Sequence, residues 1–389
     1  MNINNLDIDL YQARMLIGYY LNGMKDVQGV MEAYCRKLPP HRRYLVACGV
    51  ERVLEFLKEF RFTEDEVVVL EGMFQEIDFN STGLRQYLLS LNPAECLQIN
   101  AMMDGQLLFA NEPVIQVIGP VGVAQYIEKK ILSILNHDIR IASKAARVAM
   151  AAGNRPVFEF GGRRANDCCS ASAARAAYIA GCASSSSVAG FVKYGVPCSG
   201  TMGHVWVMSH TTEAGNPFEH AAFKAWGKTF KNSTYLVDTY DSIEGTRNAL
   251  NAAKNNIGAI RLDSGDIAKL SIDCRRMINE SGNPNVKIVA SDDLNEYKIR
   301  DMISSGAQID AFGVGTEIVS TPDAVTCGFI YKLVAIQSKS NGKWHNVMKW
   351  SSSKGKKTYP GRKQVYRFFR TLQLLSWLYR SYRRVFRTS

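Results

Sequence analysis

Several absences narrow what this chain can be. No apolar run approaches the length needed to cross a membrane, and Met1–Leu10 has neither the basic start nor the apolar core of a secretory signal. None of the nine cysteines stands in a C-x-x-C pair, which argues against a structural zinc knuckle. Without a secretory signal they are expected to be reduced thiols in a cytoplasmic protein, with Cys168–Cys169 as two small buried side chains. There is no solenoid repeat and no low-complexity segment beyond Ser184–Ser187. Acidic residues are missing altogether from Ala324 to Ser389, where 15 of the 47 Lys and Arg lie. The remaining 32 face all 36 acidic residues in 1–323, a balance of −4, so the net charge of +11 belongs to the C-terminal segment. The body therefore lacks the basic surface expected of a nucleic-acid-binding fold.

What is present suits a globular chain. Its 389 residues, 46% hydrophobic and 21% charged, are enough for two domains or a barrel with an appended domain. The N-terminal third reads as helices at 7–21, 49–60, 63 onward and 84–91, and strands at 34–37 and 42–47. Leu107–Phe109 and Val114–Val117 suggest a hairpin around Glu112–Pro113. Two helices follow, over 125–135 and 141–152. Beyond them short apolar segments at 158–160, 235–238, 257–262, 286–290 and 311–313 alternate with helical patterns at 170–179, 243–253, 267–280 and 295–304. Each segment ends in a polar cluster: Gly161–Arg164, Asp238, Asp263–Asp266, Ser291–Asp293 and Gly313–Thr316. Polar residues collected at the C-terminal ends of parallel strands are how a β/α barrel builds an active site. Glycines next to the paired Arg163–Arg164 let backbone and fork-shaped donors approach an anion.

The segments FEFGGRRANDCCSASAARAAYIAG, SGTMGHVW, VDTYDSIEGTRNAL, RLDSGD, ASDDLNEY, DAFGVGTEIV and PGRKQVYR resemble, in order, those of nicotinate phosphoribosyltransferases. DLYQ, KLPP and FRFTEDEVVVL near the N-terminus are similar too, and the resemblance runs over about residues 6–367. It implies the α/β type II phosphoribosyltransferase architecture: an N-terminal α/β sandwich domain on an irregular, TIM-like β/α barrel. The domains are expected at 1–120, 121–330 and 331–389, the last returning to the first and atypical after 367. It also implies a head-to-tail homodimer with shared active sites. The reaction would join nicotinate to phosphoribosyl pyrophosphate, with Mg²⁺ and ATP as a coupled co-substrate. The alternatives are a nicotinamide-specific enzyme and a catalytically impaired homologue serving as a ligand-binding or scaffold protein.

A pyridine nitrogen has a free lone pair and needs no general base, so such a site must align reactants, stabilise an oxocarbenium-like centre and neutralise pyrophosphate. Asp263 is placed to hold ribose hydroxyls or face the developing charge, or to hold Mg²⁺. Asp266 does the same, binds Mg²⁺ through water, or caps the following helix. Gly313, Gly315 and Thr316 would offer amides and a hydroxyl to a phosphate, and Arg163, Arg164 and Arg261 are the candidate anion clamps. Asp292 and Thr201 complete the substrate-binding set. By resemblance, Phe160 stacks on the pyridine ring, Tyr11 covers its other face from the second subunit, and His204 is phosphorylated by ATP. Lys144 and Arg147, a helical turn apart, either reach a phosphate from the dimer partner or form a solvated helix face. Ser186 falls where the related nicotinamide enzyme carries an aspartate, and a hydroxyl there favours the acid over the amide. From Phe368, the residues Leu372, Leu375, Tyr379, Tyr382 and Phe386 share a helical face beside arginines. Such a helix docks on the body, lies on an anionic membrane, touches RNA, or is a divergent end without a role.

Overall fold

The computed structural model describes residues 4–253, 256–352 and 356–368. The amphipathic tail read from Leu372 to Phe386 lies outside them. The chain divides into two compact units, 1–140 with 326–389 and 141–325, compared with boundaries of 120 and 330 drawn from the sequence. Among the described residues, no helix is long and apolar enough to cross a membrane.

In the first unit, β1 (Gln28–Cys35), β2 (Leu45–Val46), β3 (Gln98–Ala101), β4 (Leu107–Leu108) and β5 (Pro113–Pro120) are antiparallel elements. The expected hairpin between 107–109 and 114–117 does not form, because β4 pairs with β2 while β5 lies between β1 and β3. Strand β1 starts well before the expected 34–37. Its apolar pattern is broken by Glu32, which is nevertheless fully buried. Gln116 donates to that carboxylate at 2.7 Å and the Lys363 ammonium at 2.5 Å. These partners are far away in sequence, so the local pattern could not reveal the strand. The two helices expected over 125–152 are a short helix, Val121–Tyr126, and one continuous helix, Glu128–Ala152. The polar break at Asn136–Asp138 misled the reading: Asp138 is buried and accepts a hydrogen bond from Arg52 at 2.6 Å.

The second unit is built on six parallel strands: β6 (Val157–Glu159), β7 (Ser184–Ser185), β8 (Ser233–Leu236), β9 (Ile257–Leu262), β10 (Lys287–Ala290) and β11 (Ala311–Val314). Their order is β7-β6-β11-β10-β9-β8. From β8 to β11 each helical crossover moves the chain one place along the sheet, and β11 then lies beside β6. Helices Ser242–Ala253, Ile267–Glu280 and Glu296–Ser304 supply those crossovers. Gly245 lets the first of them close on the strand, since a Cβ there would meet the Val237 carbonyl oxygen at 1.9 Å. Ala259, Val289 and Ala311 pack together with Phe158 against them. Arg261, two residues from Ala259 on β9, therefore stands on the same face. The chain then returns to the first unit's sheet through β12 (Phe329–Gln337), beside β1, and β13 (Trp344–Asn346).

Replacing Lys363 by Ala removes the ammonium and leaves the buried Glu32 carboxylate with only neutral donors, the Gln116 amide and the residue-363 backbone N–H. The expected cost is about 3 kcal/mol or more in urea unfolding, whereas Lys363→Arg retains most of the stability. Equal stability of Lys363→Ala and wild type would remove this contact from the account.

Candidate active site

Because all six strands run the same way, the loops at their C-terminal ends gather at one rim. A cavity of about 130 Å³ opens there, lined by Phe160, Arg163 and Arg164 after β6, and by Arg261 and Asp263 at the end of β9. Ser291–Asp293 after β10 and Gly313, Gly315 and Thr316 at the end of β11 complete it.

At its centre lies an ion pair. Arg261 donates to the Asp263 carboxylate at 2.7 Å, to the Ser291 hydroxyl at 2.7 Å and to Thr201 Oγ1 at 3.1 Å. Ser291 in turn donates to the same carboxylate oxygen. Burial by itself would raise the Asp263 pKa, but the Ser291 hydroxyl and the Arg261 guanidinium outweigh it and hold the carboxyl below its usual range. The guanidinium lies 5.6 Å from the centre of the Phe160 ring. That ring occupies the space over Gly313, where a Cβ would meet it at 2.6 Å. Gly313, read from the sequence as an amide donor to a phosphate, thus also makes room for the aromatic platform.

Arg261 is therefore largely committed to the protein. The side chains of Arg163 and Arg164, exposed in the turn Gly162–Arg164, have no hydrogen bond or ion pair among the described residues. They are the free fork-shaped donors of the cavity. Below them, buried Glu159 accepts from the Ser185 hydroxyl at 2.6 Å and from the Gly161 N–H. Burial raises its pKa, opposed by those two hydrogen bonds. Gly161 is required because a Cβ would meet the Gly315 carbonyl at 2.6 Å. Asp292 adopts a positive φ of 117°, a strained conformation for a non-glycine residue and one held by its loop at the rim.

His204 opens the helix His204–Met208. Its Nδ1 is 3.2 Å from Thr239 Oγ1 and its Nε2 3.8 Å from Asp263 Oδ2. Among the serines of 184–187, Ser184 bonds Ser199, Ser185 bonds Glu159, and Ser187 caps the helix Val188–Tyr194. Of these four, Ser186 alone has a hydroxyl without a partner among the described residues, although Ser186 is outside the cavity lining.

Other expected residues fall elsewhere. Asp266 accepts from the Lys269 N–H as the cap of Ile267–Glu280 and does not line the cavity. Among the described residues, no group of three or more His, Cys, Asp or Glu is arranged to hold a metal ion. Lys144 is not on a solvated face: it is 1% exposed, with its ammonium 2.8 Å from Glu296, 2.9 Å from Glu317 and 3.3 Å from Asp323. Arg147 donates to Glu296 at 2.7 Å and to the Tyr297 hydroxyl at 2.9 Å. Tyr11, in the first unit, donates to Glu128 at 3.1 Å. Burial and that carboxylate push its pKa to about 12. Cys168 is exposed with φ of 62°, contrary to the buried pair expected. Sequence reasoning gave no role to Ser291, Asp293, Thr239 or Glu159. The first two stood in the ASDD polar cluster at a strand end, which was the available signal.

Comparison with known proteins places this geometry in a family. A model of the nicotinate phosphoribosyltransferase N-terminal domain matches residues 6–136, and a model of the nicotinate phosphoribosyltransferase family matches residues 156–372. The chain belongs to the nicotinate phosphoribosyltransferase family. It is 38% identical over 370 residues to the nicotinate phosphoribosyltransferase of Bacillus subtilis, covering 93% of this chain and 73% of that one. With nicotinate phosphoribosyltransferase pncB2 of Mycobacterium tuberculosis it shares 37% over 372 residues, 94% of this chain and 76% of the relative. The crystal structure of human nicotinic acid phosphoribosyltransferase aligns with a TM-score of 0.74 and 25% identity, over 84% of this chain and 74% of that one. Nicotinate-nucleotide pyrophosphorylase from Pyrococcus furiosus shares the fold, with a TM-score of 0.69 at 24% identity over 88% and 82% of the two chains.

Two outcomes follow. Arg261→Ala should raise the Asp263 pKa, read by carboxyl-carbon NMR, because the neighbouring charge and hydrogen bond are lost while burial remains; an unmoved titration would exclude the pairing. Lys144→Met should cost about 3–5 kcal/mol by leaving Glu296 buried and less compensated. Carboxylate contacts raise the Lys144 pKa against the opposing effect of burial, so its stabilisation is present below the unfolded value of about 10.4 and lost as pH rises through the folded one. Glu296 is depressed by Lys144 and Arg147 against burial, and its share is lost as pH falls through its folded value. Denaturation midpoints across pH in wild type and Lys144→Met check both limbs; parallel curves would refute the linkage.

Proposed function

We propose that the chain is a nicotinate phosphoribosyltransferase of NAD biosynthesis, joining nicotinate and phosphoribosyl pyrophosphate to give nicotinate mononucleotide and pyrophosphate. The observation that carries the reading is the uncommitted pair Arg163–Arg164 in one cavity with the Gly313–Thr316 turn and the charged Asp263. In the reaction, a bond forms from the pyridine nitrogen to the ribose anomeric carbon as the bond to the pyrophosphate oxygen breaks. The electron pair leaves with pyrophosphate and no proton moves. Arg163 and Arg164 neutralise anionic groups, and the amides and hydroxyl at Gly315–Thr316 hold a phosphate. Asp263, fixed by Arg261 and Ser291, presents its other oxygen to ribose hydroxyls or to positive charge on the sugar. Phe160 supplies the stacking surface for the ring.

Nicotinate is favoured over nicotinamide by Ser186, whose hydroxyl can donate to a carboxylate. Mg²⁺ is read as entering with the pyrophosphate substrate and not as resident, since Asp266 is occupied as a cap and Asp263 has one oxygen spare. ATP is the expected donor of a phosphoryl group to His204. Thr239 orients Nδ1 of that histidine, which leaves Nε2 as the acceptor. The sheet order, with β11 returning to β6, supports a barrel opened between β7 and β8, and the separate antiparallel sheet of the first unit supports an N-terminal α/β sandwich domain. A homodimer in which Tyr11 of a second copy covers the ring, and a cytoplasmic location, complete the reading.

Mononucleotide formation from either base, with Mg²⁺ and phosphoribosyl pyrophosphate, with and without ATP, tests it. Nicotinate should be used in preference to nicotinamide. Asp263→Asn should lower kcat by about a hundredfold, and His204→Ala should lose the ATP stimulation while keeping some basal turnover. Preference for nicotinamide would overturn the role of Ser186, and silence with both bases the activity itself.

A further inference from the structure

The strands that open into the active-site cavity at their C-terminal ends border a second concavity at the other end. It measures about 480 Å³ and is lined in part by Asn154, Arg155, Arg275, Lys287, Gln308 and Asp310. These residues sit just before β6, at the start of β10 and just before β11, three strands adjacent in the sheet, with Arg275 reaching in from helix Ile267–Glu280. Lys287–Ala290 is four residues long, so the two ends lie ~13 Å apart. One small phosphate ester cannot occupy both.

The charges at this end do not balance. Asp310 is the lining carboxylate, and both its oxygens are engaged: one accepts from Arg275 at 2.6 Å and from the Ile288 N–H at 2.8 Å, the other faces Lys287 at 3.3 Å. It neutralises one of three cations. Arg155 is anchored through Nε to the Ile309 carbonyl at 2.8 Å, and its two terminal nitrogens have no partner among the described residues. The Asn154 amide is likewise uncommitted, and the Lys287 side chain is 63% exposed. The cavity thus carries an excess of two positive charges and a pre-oriented arginine fork. A phosphomonoester carries about −1.5 to −2 at neutral pH and offers oxygens that match that fork. The volume is within the range of about 300–1,000 Å³ typical of small-molecule sites.

We propose that this cavity binds a phosphate-bearing small molecule of about the size of a nucleoside monophosphate, independently of the active site. The test is calorimetric titration of the full chain with adenosine monophosphate and, separately, with inorganic phosphate. Wild type is compared with Arg155→Ala/Lys287→Ala and with Lys287→Glu. Wild type should bind one equivalent more than the double variant, adenosine monophosphate more tightly than phosphate, and more weakly as salt is raised. Lys287→Glu should weaken this site at least tenfold while leaving phosphoribosyl transfer unchanged. Should the double variant unfold, Lys287→Glu decides, because its side chain is largely in solvent. Identical isotherms for wild type and Lys287→Glu with both probes would overturn the site, whatever the outcome of the transferase assay.

Discussion

The ion pair between Arg261 and Asp263 is the contact on which the active-site cavity depends. Two residues apart at the end of one strand, they form a partly buried pair that is tolerable only because neighbouring groups complete it. Ser291 from the next strand and Thr201 from the loop before His204 provide the remaining hydrogen bonds. The pair keeps Asp263 ionised and aims the guanidinium over Phe160. That ring rests in turn on the bare Cα of Gly313. Four segments are fixed by one charge pair, and the arginines left to meet a ligand are the two that take no part in it.

A second charge cluster, outside the cavity, supports the rim from below. Lys144 binds Glu296, at the start of the helix that follows the Ser291–Asp293 loop, and Glu317, next to the Gly315–Thr316 turn. A buried lysine surrounded by three carboxylates holds two cavity loops at a fixed separation, and Arg147 relieves the excess negative charge. Glu159 plays a related part beneath Gly161. Its burial in strand β6 joins the serine run to the arginine turn through one carboxyl group.

The parallel sheet has polar ends of different character. At its C-terminal rim, carboxylates and arginines are both present, as suits a site that must meet positive charge on a sugar and negative charge on a leaving group. At its N-terminal end, cations are in excess and the single lining carboxylate is consumed. A body that is mildly acidic over residues 1–323 therefore still presents local positive sites, because folding and not composition decides which charges are neighbours.

Residues 257–262, 267–280 and 170–179 were legible in the sequence, because the apolar period, joined at 267–280 by the Asp266 cap, agreed there with the tertiary surroundings. So were the strand-end clusters, since parallel strands put every following loop on one side. What failed were elements whose polar residues are satisfied from a distance. Strand β1 was hidden by Glu32, which Lys363 neutralises from 331 positions away, and the long helix was divided at Asp138, which Arg52 holds. The same limit governed the site. The sequence by itself determined the alternation of elements and the chemical types gathered at the rim. Only the tertiary structure decided that Arg261 is bound while Arg163 and Arg164 are free, that Asp266 is a cap, and that Lys144 is interior. A charge's role depends on its neighbours in space, and those are set when distant segments pack.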